Sequence, residues 1–209
     1  MQAKHGASIH LNIPFFRQHY GYTCGPASLM MAMKYLDPDL RFKKGLEIEL
    51  WREANLGIVP GTSRYGLAYA AAARGFSARV TSNSGGPDFV DQLVPPLNDL
   101  ERQLVEEQFY ERAARCKKLG VRTRQQTITA KTLRESLFSN HVPLIITNSE
   151  FLTKEDIPHW IAVTGIDDKF LHFNNPSDAR LKKRKTGLAD LPRFIGYHGV
   201  QSMVEVWKQ

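Results

Sequence analysis

The stretch Gln18-His19-Tyr20-Gly21-Tyr22-Thr23-Cys24-Gly25-Pro26-Ala27 sets a cysteine directly before a helix start, because Pro26 suits the first helical turn, where a missing N–H costs nothing. A thiol at that position feels the positive end of the helix dipole and can face unpaired backbone N–H groups. Both favour thiolate, and such settings bring a thiol pKa from about 8.5 to between ~3.5 and ~7.5. The chemistry this supplies is attack on a carbonyl with formation of a covalent acyl intermediate. Gly25, next in the chain, lets a carbonyl approach the backbone closely. Breaking an amide also requires a proton for the leaving amine and donors for the tetrahedral oxyanion. Gln18, six positions before Cys24 in the same loop, offers a side-chain amide to act beside the backbone N–H of Cys24.

The base must come from a distant segment. Among seven histidines His159 is the best placed, since it opens the apolar run His159-Trp160-Ile161-Ala162-Val163-Thr164-Gly165-Ile166 after the loop residues Ile157-Pro158. It therefore stands at a strand mouth, on an element rigid enough to hold its ring. The turn at Asp167-Asp168-Lys169 returns the chain as Phe170-Leu171-His172-Phe173-Asn174-Asn175-Pro176, an antiparallel hairpin. A two-residue loop pairs Ile161 with Asn174 and puts Asn174 on the His159 face; a three-residue loop pairs Ile161 with Asn175 instead. Either amide oxygen would accept from one ring nitrogen of His159, fix the tautomer and leave the other nitrogen for Cys24.

The elements that carry these residues read as helices first and strands later. Ile9–Pro14 predicts a short strand, and Leu29, Met33 and Leu36 continue the helix from Gly25-Pro26 until Pro38 ends it. Further helices are expected over Leu46–Ala54, Tyr65–Arg74 and Lys131–Phe138. Strands are expected at Phe76–Thr81, Thr127–Thr129, Val142–Thr147, Trp160–Ile166, Phe170–Phe173 and Val200–Trp207. Leu97–Leu119 predicts a long charged helix with Leu97, Leu100 and Leu104 on one side. The order is α+β in one domain, 1–209, with a helical insertion at about 87–120 that lies across the body and covers the cleft.

Composition excludes several classes. At 42% hydrophobic and 23% charged the chain has the balance of a globular protein. Its apolar runs fall far short of the roughly 20 residues of a membrane helix, and no secretory signal opens it, so a cytoplasmic protein without membrane attachment is expected. The net charge of +7 invites nucleic acid, but the one dense basic run, Lys182-Lys183-Arg184-Lys185, has no interleaved aromatics and is expected to be a solvated loop or strand edge. Cys116, between Arg115 and Lys117, has no candidate base and is expected to be structural, while His19 is expected to face solvent. His10, His172 and His198 fall in or near strands without matched partners. No Cys-x-x-Cys or His-x-x-x-His spacing occurs, so neither metal nor cofactor is expected.

Gln-x5-Cys-Gly-Pro-Ala, with His-Trp-Ile-Ala-Val-Thr-Gly-Ile-Asp and Asn-Asn-Pro far downstream, resembles the bacteriocin-processing, double-glycine-leader peptidase family and its free-standing relatives among papain-like enzymes. The papain pattern has Gln six before Cys and Asn sixteen after His, and both spacings recur here, from Gln18 to Cys24 and from His159 to Asn175. The resemblance implies a papain-like fold in which N-terminal helices, with the nucleophile at a helix start, pack on a C-terminal antiparallel sheet. It implies Cys24 as nucleophile, His159 as base, Asn175 rather than Asn174 as orienter, and Gln18 as oxyanion donor. Bacteriocin-processing members carry Asp where this chain has Asn175 and are attached to membrane transporters, a segment not found here. The function that follows is hydrolysis of a peptide or small amide without a cofactor. A papain-like acyltransferase or transpeptidase, and a non-catalytic binding module, are the alternatives; the sequence sets no oligomeric state.

Overall fold

The apolar run that begins at Cys24 becomes the central helix, α1 (Cys24–Leu36), in which every residue from Cys24 to Met33 is buried. A helix apolar on most sides has to sit inside a protein, and this one lies against the middle of a sheet. The computed structural model describes residues 8–177 and 183–208. Before α1 runs the two-residue strand β1 (Ile9–His10); after it come α2 (Lys44–Ala54), the ribbon β2 (Asn55–Leu56) and β3 (Val59–Thr62), and α3 (Arg64–Ala72). The Ser63 side chain caps α3 by accepting from the Gly66 N–H at 3.0 Å. Next are β4 (Ser77–Ser82) and α4 (Asp99–Lys118), the latter opened by a reciprocal cap between Asn98 and Glu101. The chain continues through β5 (Arg122–Gln125), α5 (Ala130–Phe138), β6 (Val142–Asn148), α6 (Glu150–Thr153), β7 (Pro158–Ile166) and β8 (Phe170–Asn174). It closes with β9 (Lys183–Gly187), α7 (Leu191–Phe194) and β10 (Ser202–Trp207).

Apart from the β2–β3 ribbon, the described strands form one sheet in the order β5-β4-β10-β6-β7-β8-β9, with β1 paired to the far end of β7. The α+β expectation holds with two corrections. First, β4 comes from the helical half of the chain, and its pairing with β5 is parallel. Parallel pairing follows because α4 carries the chain back to the end where β4 began. Second, helices cover both faces. Leu144, Ala162 and Val204 face the core built with α1 to α4, whereas Ile145, Ile161 and Met203 face a second core with Leu133 and Leu137 of α5 and Phe194 of α7. Alternation along each strand explains why both sets are apolar.

Local differences also have physical causes. The long helix with Leu97, Leu100 and Leu104 expected on one side does not bury that side: Leu100 and Leu104 are exposed, and Val105, Phe109 and Cys116 are buried. Thr127–Thr129 is not a strand, because the Thr129 side chain caps α5 by accepting from the Thr132 N–H at 3.3 Å; the strand lies earlier, at β5. The basic run falls on the edge strand β9, apart from Lys182, which lies outside the described residues. No described helix is long and apolar enough to cross a membrane.

Candidate active site

Cys24 is the first residue of α1, and the loop before it is held from an unexpected direction. Glu47 of α2 is fully buried and reaches back to that loop: its carboxylate accepts from the His19 backbone N–H at 2.8 Å and the Thr23 hydroxyl, and meets His19 Nδ1 at 2.6 Å. His19 is exposed, as expected, while its Nδ1 is tied back to Glu47. Nothing in the sequence marks Glu47 for this task, since the contact spans 28 positions. Gly25 is required by close packing: a Cβ there would collide with the Thr62 hydroxyl.

His159 lies near the start of β7, buried, and its Nε2 donates to Asn175 Oδ1 at 2.8 Å. The other ring nitrogen is left for Cys24. Asn175 Oδ1 also accepts from the Ser177 N–H at 3.1 Å and the Ser177 hydroxyl at 2.9 Å, which fixes the amide in place. Asn174 turns the other way, donating to the Ile13 carbonyl at 3.2 Å and touching Met31 of α1.

The hairpin reaches this arrangement through neither of the two registers considered from sequence. Ile166 pairs with Leu171 and Gly165 with His172 around a four-residue loop, and then the register shifts so that Val163 pairs with Phe173 and Ala162 with Asn174. Thr164 is the extra residue of a β-bulge, and its carbonyl accepts from the Leu11 N–H at 2.7 Å. Continuing one step puts Ile161 opposite Asn175, as a three-residue loop would have done. A longer loop and a bulge cancel, so the Asn175 pairing emerges by a different route.

The electrostatics of the pair are mutual. Burial raises the Cys24 pKa, but the charge and hydrogen bond of His159 and the backbone N–H groups of Trp160 and Gly25 outweigh it and bring the thiol below its ordinary value. Burial likewise lowers His159, while the attraction and hydrogen bond of Cys24 and the bond to Asn175 raise the imidazole above its ordinary value. The two shifts run in the directions that a thiolate–imidazolium pair would require. Cys116 is the contrast: its thiol donates to the Tyr65 carbonyl at 3.2 Å, and burial pushes it up to about 12 against a small opposing effect of Arg112.

Gln18 is tied to the loop before Cys24 and to the segment after Asn175. Its backbone N–H donates to the Pro176 carbonyl at 3.0 Å, next to Asn175, while its amide nitrogen donates to the Tyr20 carbonyl at 2.8 Å in its own loop. Cys24 opens at the floor of a cleft of about 430 Å³. Trp160 is both core and cleft wall, 3% exposed and donating from its indole to the Thr62 carbonyl at 3.2 Å. Phe89, Leu93, Val94 and Phe109, all from the 87–120 segment, line the same cleft.

Comparison with known proteins agrees with this geometry at the level of fold. A model of the Peptidase_C39 like family matches residues 13–205. No curated protein gives a match. Among solved structures, a C39-like peptidase from Bacillus anthracis is similar at 14% identity and a TM-score of 0.57, over 97% of this chain and 98% of that one. A double glycine motif protease from an AMS/PCAT transporter, solved in complex with its leader peptide, is 13% identical with a TM-score of 0.47, over 94% of this chain and 93% of that one.

Proposed function

The chain belongs to the Peptidase_C39 like family, and from that premise we propose that it is a papain-like cysteine peptidase or amidase that cleaves its substrate through an acyl-enzyme on Cys24. The observation that carries this reading is the buried pair in which Cys24 is lowered and His159 raised, with Asn175 bonded to the far ring nitrogen at 2.8 Å. A cysteine and a histidine that merely pack in a core have no reason to perturb each other in these opposite directions.

In the proposed reaction the Cys24 thiolate attacks the carbonyl carbon, and the oxyanion takes the backbone N–H of Cys24 at the open end of α1. His159, already protonated, gives its proton to the nitrogen of the leaving amine as the C–N bond breaks. Water then attacks the acyl-enzyme, His159 takes a proton from it, and the acid departs with the thiolate restored. Besides substrate and water, this scheme uses only the chain's own residues. Free thiols suit the reducing cytoplasm. The 87–120 segment, as a helical insertion, would set substrate preference through its apolar side chains in the cleft, favouring a peptide with an apolar residue beside the cleaved bond.

Incubating the purified protein with a peptide library and reading the products by mass spectrometry tests the proposal. Cleavage by the wild type and none by Cys24→Ala supports it; equal cleavage by both, or none by the wild type with no acyl adduct on Cys24, rejects it.

Two supporting roles carry their own expected results. Asn175→Ala should lower kcat by roughly 10- to 10⁴-fold, the upper end being the loss seen when the partner that orients a triad histidine is changed, and Asn174→Ala should lower thermal stability instead. Kinetics and melting of both variants check this; an Asn175→Ala enzyme that melts lower but keeps its kcat would make Asn175 a turn residue only. Gln18 is the proposed second oxyanion donor, reaching it by exchanging the Tyr20 carbonyl for the substrate oxygen. Gln18→Ala should then cost roughly 10- to 1,000-fold in kcat with a smaller change in KM, and an unchanged kcat in a folded variant would remove Gln18 from the site.

A further inference from the structure

His10 of β1, Gly165 of β7 and His172 of β8 are direct cross-strand partners, forming one row across three strands. The middle position has no side chain. A Cβ on Gly165 would come within 2.5 Å of His10 Nδ1, so the glycine is what lets the two imidazoles meet, with ring centroids 4.5 Å apart. Asp167, two residues beyond Gly165, joins them: its Oδ2 lies 2.6 Å from His172 Nε2, and its Oδ1 accepts from the N–H groups of Lys169 and Phe170 at 2.7 Å each. One donor atom from each of the three side chains falls within 4.8 Å of the others.

We propose that His10, Asp167 and His172 bind a divalent transition metal ion of the zinc type, which clamps β1 onto the β7–β8 hairpin. Two imidazoles and one carboxylate are the donor set such ions prefer over magnesium or calcium. Bonds of about 2.0–2.2 Å are reached from the present spacing by side-chain rotation, with the ion taking the place of the proton between His172 and Asp167. His10 is exposed, which leaves the remaining positions to water. Two cations lie close by: Lys185, next in the row beyond His172, lies over the Phe170 ring at 4.0 Å, and Arg134 donates to the Asp167 backbone carbonyl at 2.9 Å. The site is distinct from the cleft, since Gly165 lies six residues along β7 from His159, roughly 20 Å at strand spacing. Sequence spacing gave no hint of it because the ligands come from positions 10, 167 and 172.

Titrating Zn²⁺ into untagged Cys24→Ala protein by calorimetry tests this, the substitution removing the thiol that would otherwise chelate in the cleft. No substrate is involved, so the outcome is independent of the peptidase reading. One ion should bind per chain and raise the thermal midpoint, and His10→Ala and His172→Ala, each in that background, should weaken binding at least about tenfold. The exposed His10 makes its variant the safer one for folding, which its metal-free melting curve verifies. Absence of binding, or binding unchanged in both variants, would reduce the cluster to a His–Asp hydrogen bond beside a second histidine and overturn the proposal.

Discussion

Replacing Cys24 with alanine is expected to lower substrate cleavage by on the order of 10⁶-fold, the loss seen when one member of a cooperating nucleophile and base is removed. The substitution deletes a single sulfur from a residue that is 8% exposed at the start of α1, so the helix and its packing should survive. The whole effect should therefore appear in the chemical step, with substrate binding retained. Assaying peptide cleavage alongside thermal unfolding separates the two. A variant that melts like the wild type and still turns over within tenfold of it would exclude the acyl-enzyme route.

His159→Ala is expected to be nearly as severe, about 10⁴- to 10⁶-fold in kcat/KM, for two reasons that add in the same direction. The leaving amine loses its acid, and Cys24 loses the charge and hydrogen bond that offset its burial. In the wild type the pair titrates as a unit. Because Cys24 is lowered and His159 raised, activity should rise as Cys24 loses its proton below the ordinary thiol range, and fall as His159 loses its proton above the ordinary imidazole range. The kcat/KM profile should be bell-shaped, and His159→Ala should abolish its acid limb near neutrality. A profile with one limb at the ordinary thiol value would mean that the two groups do not interact.

What could be read from the residues alone were features set by local chemistry. The Gly25-Pro26 helix start, the strand mouth at His159 and the return strand ending in Asn174-Asn175 each follow from short-range preferences, and each is found where expected. The choice between the two asparagines was beyond local reasoning, because it depends on a bulge at Thr164 whose carbonyl bonds Leu11 from the far end of the chain. Glu47 was invisible for the same reason: a carboxylate on a surface-patterned helix gives no sign that it will be buried against His19 and Thr23. The amide of Gln18 shows the converse, a spacing that matches a pattern while the side chain bonds within its own loop. The burial face of α4 was not legible because the leucines near its start, Leu100 and Leu104, are exposed and the body is met instead by Val105, Phe109 and Cys116.

The proposed reaction needs one thiolate held by one imidazolium, and the pH dependence of cysteine alkylation measures that directly. Wild type and His159→Ala would be treated briefly with iodoacetamide across the pH range and mapped by mass spectrometry. In the wild type Cys24 should react below the ordinary thiol range and before Cys116, whose thiol is held up at about 12, and in His159→Ala the onset for Cys24 should move to higher pH. Labelling of Cys116 first, or a Cys24 onset that His159→Ala leaves unmoved, would contradict the pair and with it the proposed reaction.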